Sequence, residues 1–237
     1  AALIYPVAVI VIAAIVVAVI LLKVIPTFAA LFTSLGAELP FPTRVVIASS
    51  NFLARYFIFF VIGTAAFIFF FRRYYQTYRG RRVVDGVMLK LPIIGMILRK
   101  ISVARFCRTL ATLTSSGVPI LESLDITART SGNAIVEDAI LEVRKSVEGG
   151  KTIVEPLRDS HVFPNMVVQM IGVGEQTGAL DAMLNKIADF YEDEVDAAVA
   201  GLVKLLEPVM IFILGVIIGG IVIAMYLPMF TLINKIG

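Results

Sequence analysis

Three stretches without a single charged residue, 1–22, 56–71 and 208–234, constrain this chain more than any other feature. They are 22, 16 and 27 residues long, and a helix of about 20 apolar residues crosses the ~30 Å hydrocarbon core of a bilayer. The first and third runs read as transmembrane helices directly. The middle run is short. It extends backward to about Asn51 if Arg55 lies near a membrane face, where a long cationic side chain reaches the headgroups. Taken alone, such a run also suits a buried helix of a large soluble protein. Composition favours spans, since only 16% of the residues are charged against about a quarter in soluble domains.

Flanking charge assigns the sides. Arg72, Arg73, Arg79, Arg81 and Arg82 follow the second run with no acidic residue among them, whereas Arg44 is the only cation of the loop before it. The arginine-rich side is therefore read as cytoplasmic. The resulting plan is a first transmembrane helix at 1–23, a periplasmic loop at 24–50 and a second span at 51–71. A cytoplasmic domain at 72–204, a third span at 205–228 and a periplasmic tail at 229–237 complete it. The chain opens at a membrane boundary without a basic n-region or small-residue cleavage site, so no signal peptide is expected there. It is expected to be a fragment whose preceding part is cytoplasmic.

The fold class expected is an all-α membrane protein, three transmembrane helices with a cytoplasmic bundle of about six helices. Two stripes in residues 72–204 repeat at three- and four-residue steps: Ile135, Ala139, Ile140, Val143 and Val147, then Leu180, Met183, Leu184, Ile187, Tyr191 and Val195. Breaks are expected around Gly117, Gly132, Gly149-Gly150, Phe163-Pro164 and Thr177-Gly178. No such break separates Ala179 from Ala200, so the last cytoplasmic helix and the third span are expected to be nearly continuous, with a bend at Pro208. In the 24–50 loop, prolines and Gly36 predict short helical pieces near the membrane surface.

Residues 72–204 carry 17 Lys/Arg and 16 Asp/Glu. This near balance argues against nucleic acid as a partner, because phosphate binding needs a concentrated basic face. Gly149-Gly150-Lys151-Thr152 imitates the end of a phosphate-binding loop, but Lys145 stands where its first glycine belongs and the preceding segment is helical; it reads as a helix stop. Gly172, Gly174 and Gly178 miss the dinucleotide spacing and read as an interhelical turn. His161 is the only histidine and Cys107 the only cysteine, so no metal ligand set or catalytic triad is indicated, and no cofactor. Glu192, Asp193, Glu194 and Asp196 form either a solvated helix face or a docking surface for a basic partner. Gly215 and Gly219, four apart, form a small-residue strip for close helix packing, within the chain or between subunits. Glu207 and Pro208 mark a candidate hinge at the inner membrane boundary.

Together these residues resemble the GspF/PilC family, the inner-membrane platform proteins of type IV pilus and type II secretion machines. The resemblance is carried by Arg105-Phe106-Cys107-Arg108-Thr109-Leu110, by Ser116-Gly117-Val118-Pro119-Ile120-Leu121-Glu122 and by Phe163-Pro164. It is strongest in Val168-Gln169-Met170-Ile171, Val173-Gly174-Glu175-Gln176-Thr177-Gly178, Leu205-Leu206-Glu207-Pro208 and Ala224-Met225-Tyr226-Leu227-Pro228. It covers the whole chain and corresponds to the family's second half. The resemblance implies a non-enzymatic protein of the bacterial inner membrane, acting in pilus (fimbrium) assembly or protein transport. The implied partners are a cytoplasmic hexameric assembly, retraction or secretion ATPase, pilins or pseudopilins, other inner-membrane assembly proteins, further copies of itself and the lipid bilayer. On this reading the loops carrying Gly117, Val118, Pro119 and Glu122, and Glu175, Thr177 and Gly178, face the ATPase or brace the domain. The alternative function is that of a membrane transporter or channel subunit. Its expected mark, an ionisable residue facing a pathway at mid-membrane, is missing from the three runs.

Overall fold

The computed structural model describes residues 4–34 and 40–236. Among these residues the chain has helices and turns but no strand. It divides into two compact units, Ala1–Phe69 with Ala200–Gly237, and Phe70–Val199. Three helical stretches are long and apolar enough to cross a membrane, at Ile4–Ala30, Phe41–Tyr75 and Leu180–Pro228.

The first unit holds α1 (Ile4–Val19), a π-helical turn (Ile20–Val24), α2 (Ile25–Ser34), most of α3 (Phe41–Tyr75), and residues 200–236 of α10 (Leu180–Ile236). Helix is the expected solution for such apolar sequence, because a hydrocarbon solvent offers backbone N–H and C=O groups no partner. Large side chains point outward, with Phe59 71% and Phe212 71% exposed. A few apolar residues are buried there, Ile25, Met210, Ile221 and Ala224, and two polar bonds join the helices. Pro26 has no N–H to give; in the π register, where Ile25 N–H reaches the carbonyl of Ile20, residue 26 would address the carbonyl of Leu21. The buried Ser50 hydroxyl of α3 donates to that carbonyl instead. The same device recurs on α10: Pro228 cannot donate to the carbonyl of Ala224 four residues back, and the buried Thr43 hydroxyl does so at 2.6 Å. Thr43 and Ser50 are seven residues apart and so share one face of α3.

The helices run further than the charge-free stretches. Helix α3 begins at Phe41, ten residues ahead of the Asn51 start expected for the second span. Pro42 sits in the first turn, where a missing N–H costs nothing, and the Ser49 hydroxyl folds back onto the carbonyl of Val45 at 2.9 Å, so Thr43, Arg44 and Ser49 to Asn51 are polar without breaking the helix. The 24–50 segment is helical on both described sides: α2 follows the π turn directly, and residues 41–50 open α3. Gly36 lies outside the described residues. At the other end α10 is one helix through both Pro208 and Pro228, continuing to Ile236.

The second unit contains α4 (Tyr78–Lys90), α5 (Ile94–Ser115), α6 (Ile120–Thr130), α7 (Ala134–Glu148), α8 (Val154–Asp159), α9 (Asn165–Thr177) and residues 180–199 of α10. Breaks fall at the five expected places, and two more occur, at Gln76 and Thr77 and around Pro92. The core takes at least one large side chain from each of α5 to α10: Phe106, Leu110, Leu124, Ile140, Leu157, Ile171, Leu184 and Ile187 are all fully buried. Each such burial contributes about 1.5–3 kcal/mol. Phe106 meets Phe163 at a ring-centroid separation of 4.9 Å. The first predicted stripe reaches this core through Ala139, Ile140 and Val143, with Val136 added and Val147 at its margin, and the second through Leu184, Ile187 and Tyr191, with Leu180 at its margin; Ile135, Met183 and Val195 are half-buried outside it.

Polar groups fix the helix ends. Asp85 on α4 accepts from the N–H of Ala134 at 2.7 Å, and the Asn133 side chain accepts from Ile135 and Val136, so three N–H groups of the first turn of α7 are satisfied. Asp85 also accepts from the Tyr75 hydroxyl at 2.9 Å, while Arg81 and Arg82 pair with Glu137 and Asp138 of α7. The segment from Gly172 to Gly178, expected as an interhelical turn, is helix as far as Thr177; only Gly178 turns. Its inner glycines serve close packing. A Cβ on Gly174 would stand 3.0 Å from the Leu180 backbone, and one on Gly172 3.2 Å from the Val154 side chain.

Candidate functional site

The first candidate loop closes α5 by backbone hydrogen bonds. Val118 N–H reaches back to the carbonyl of Leu113 and Gly117 N–H to that of Thr114, both at 3.0 Å. This geometry needs a left-handed residue, and Gly117 supplies it at φ 79° with open space around its Cβ position. The requirement is therefore backbone conformation. Pro119 then starts α6, its carbonyl accepting from Ser123 N–H at 2.9 Å while the Ser123 hydroxyl donates to the carbonyl of Val118. Glu122, in the first turn of α6, is exposed, favourably placed on the helix dipole, and without an ion-pair partner among the described residues.

The second loop divides into a brace and an exposed tip. Glu175 is partly buried, and both its oxygens accept from the N–H of Ile153, at 3.0 and 3.2 Å, at the start of α8. A carboxylate there satisfies an orphan donor and complements the helix N-terminus. Thr177 and Gly178 are exposed; the Thr177 hydroxyl donates to the carbonyl of Val173 at 2.7 Å, and Gly178 ends α9 at φ 73°. No hydrogen bond or ion pair among the described residues joins the two loops.

In the first unit, Glu207 and Pro208 are exposed on α10. Nothing lies within 4 Å of a Cβ built on Gly215 or Gly219, so no described helix of this chain presses against that strip.

The acidic cluster has a use that neither sequence reading anticipated. Arg108 on α5 forks onto Glu192, with Nε and Nη2 each at 2.9 Å, donates to Asn185 Oδ1 at 3.0 Å and pairs with Asp189. Hydrogen bonds to Glu192 and then Asp189 push the Arg108 pKa further up. Lys100 Nζ meets Glu194 at 2.6 Å. Two of the four carboxylates thus tie α10 to α5, leaving Asp193 and Asp196 at the surface. The sequence signal was spacing: Asn185, Asp189 and Glu192 lie on one helix face. Cys107 is fully buried in the core, and burial pushes its thiol pKa up, so it is a packing residue with an unreactive thiol.

Residues 106–228 match the family described as type II secretion system (T2SS), protein F, just over half of the chain. The chain belongs to this family. The match begins at Phe106 in the core of the helical unit and ends at Pro228, the proline whose missing N–H Thr43 answers. Among relatives, the chain is 51% identical to the type IV pilus assembly protein PilC of Myxococcus xanthus over 235 residues, covering 99% of this chain and 56% of that protein. It is 47% identical to the protein of the same name from Thermus thermophilus, covering 100% of this chain and 58% of the relative. The type II secretion system protein F of Pseudomonas aeruginosa is 32% identical over 236 residues, with 100% and 58% covered. The chain therefore spans somewhat more than half the length of these relatives. Family membership and the three apolar helical stretches make it a multi-pass membrane protein.

Proposed function

We propose that this chain is part of the non-enzymatic inner-membrane platform of a type IV pilus or type II secretion machine. In this role it couples a cytoplasmic hexameric ATPase to insertion or removal of pilin or pseudopilin subunits at the fibre base. The observation that carries the reading is family membership, with relatives named for both machines at similar coverage. Helix α10 supports a mechanical role: it supplies Leu184 and Ile187 to the core of one unit and the Thr43-bonded Ala224 to the other. A push on the helical domain is carried along this helix into the third span.

On this reading residues 72–204 are cytoplasmic, while the 24–50 loop and the C-terminus are periplasmic, in keeping with the arginines after the second apolar run. Glu122, Thr177 and Gly178, exposed at loop tips, face the ATPase; Gly117, Val118 and Pro119 hold the first tip, and Glu175 braces the second. The open Gly215–Gly219 strip takes a helix of a further copy, and Glu207 with Pro208 forms the hinge. The test is co-sedimentation of the purified assembly ATPase with the full-length protein in proteoliposomes. Binding that falls on Glu122→Lys or Thr177→Lys supports this assignment. Binding unchanged by both, or ATP hydrolysis by the platform alone, contradicts it.

A further inference from the structure

The corner between α4 and α5 is unlike the rest of its unit. Val83, Val87, Leu91, Ile93, Ile94 and Met96 are 41–59% exposed within fourteen residues, whereas the large apolar side chains exposed beyond Met96 in this unit, Leu141, Met166, Val173 and Phe190, are scattered singly. Contiguous exposed apolar surface of this kind marks a contact surface. Its charge is one-sided. Between Arg72 and Leu121 stand ten Lys/Arg and a single acid, Asp85, which is buried and used by Tyr75 and Ala134. Arg72, Arg73, Arg79, Lys90 and Arg99 are exposed and have no carboxylate within ion-pair distance among the described residues.

The two features share a face. Arg79, Val83, Val87 and Lys90 follow one another at four, four and three residues, which aligns them along one side of α4. The opposite side carries Arg81, Arg82 and Asp85, all engaged with α7. The chain also sets where this face begins. Only Gln76 and Thr77 separate α4 from α3, and the Tyr75 hydroxyl on Asp85 ties the end of one helix to the middle of the next. A thirteen-residue α4 is about 20 Å long, so its exposed side chains lie within about that distance, along the helix, of the end of α3.

We propose that the α4–α5 corner is an interfacial anchor: Val87, Leu91, Ile93, Ile94 and Met96 seat in the headgroup boundary of an anionic bilayer while Arg79, Lys90 and Arg99 pair with lipid phosphates. Aliphatic side chains beside unpaired cations are what such a surface selects. A second copy using the same patch would bring cation against cation with no acid to answer it. The proposal rests on the membrane character of the chain and not on the platform reading.

The test uses the full-length protein in vesicles of phosphatidylcholine and phosphatidylglycerol in equal parts, with an environment-sensitive fluorophore at Ile93→Cys or Val87→Cys. The reference is Glu148→Cys, an exposed position at the end of α7. Native Cys107 stays in place, because it is fully buried; its failure to label confirms that each variant is folded. Nitroxide-bearing lipid is expected to quench the fluorophore at 93 and 87 several-fold more than at 148. Lys90→Gln and Arg99→Gln are each expected to lower the docked-to-undocked ratio about fivefold, as is replacing phosphatidylglycerol by phosphatidylcholine in direction. Equal quenching at all three positions overturns the proposal. So does a blue-shifted but unquenched probe at 93, which means protein covers the corner, and so does quenching indifferent to Lys90, Arg99 and lipid charge.

Discussion

The two units of this chain are built from the same secondary structure and solve opposite problems. In Phe70–Val199 the large apolar side chains turn inward, and eight of the largest are fully buried. In the other unit most turn outward: none of the most apolar window of Phe41–Tyr75 is buried inside the molecule, 6% of that of Ile4–Ala30 and 17% of that of Leu180–Pro228, with Ile25, Met210 and Ile221 the large apolar side chains that are buried among the described residues. The difference lies in the solvent. Water drives apolar surface together, whereas lipid tails are as apolar as the side chains and leave association to packing and polar bonds. Specificity therefore passes from the apolar stripe to single hydroxyls. Leu124 and Ile140 hold the helical domain as core residues; Ser50 and Thr43 hold the spans, each on a carbonyl that a proline has left free.

The largest predicted effect breaks the symmetry between the units. Phe106→Ala is expected to destabilise the helical domain by about 3–5 kcal/mol and Ile140→Ala by about 2–5 kcal/mol, read as faster labelling of Cys107, which opens only on unfolding. Phe59→Ala, an equally drastic truncation on an exposed face of α3, is expected to change stability by less than about 0.5 kcal/mol. Comparable costs would mean that the two apolar surfaces are not in different solvents.

A smaller effect sharpens the polar half of the comparison. Thr43→Val is expected to cost about 1 kcal/mol, in the range of hydrogen bonds between membrane helices. Pro228→Ala restores an N–H for the carbonyl of Ala224, so in that background Thr43→Val is expected to cost close to nothing. A double-mutant cycle on unfolding in mixed micelles measures the coupling; strict additivity would remove the hydroxyl from its assigned role. Smaller again, Arg108→Ala is expected to cost less than about 1 kcal/mol, because its partners are solvent-exposed, and to cost less still as salt is raised. Last, the burial that raises the Cys107 pKa predicts no maleimide labelling of folded protein even above the ordinary thiol pKa of about 8.5. Raised in the folded state, that pKa contributes stability present below the unfolded value and lost as pH rises past it.

The sequence was most legible where one solvent acts on one face. The stripe through Ala139, Ile140 and Val143 and the stops at Gly117, Gly149 and Gly178 follow from period and backbone alone. The early start of α3 was hidden because Thr43, Arg44 and Ser50 lower local hydropathy, and hydropathy reports the membrane and not the helix. Gly172 and Gly174 looked like a turn, since glycine for close approach and glycine for conformation are written with the same letter. Of the candidate loops, positions were readable but roles were not: that Glu175 braces α8 depends on Ile153, 22 residues away, and that Glu192 meets Arg108 depends on a pairing 84 residues apart. No local pattern encodes such distances. Asp85 does carry a local signal, as the one acid among the ten cations of residues 72–121.

The central claim, that this chain passes force from a cytoplasmic ATPase to the membrane, is tested most directly by photo-crosslinking in cells that assemble the fibre. A crosslinking amino acid is placed in the full-length protein at Glu122 or Thr177, with Phe59 as the lipid-facing reference. The expected result is an ATPase adduct from a loop position and none from Phe59. An ATPase adduct from neither loop, in cells where the variant protein still supports fibre assembly, would contradict the account.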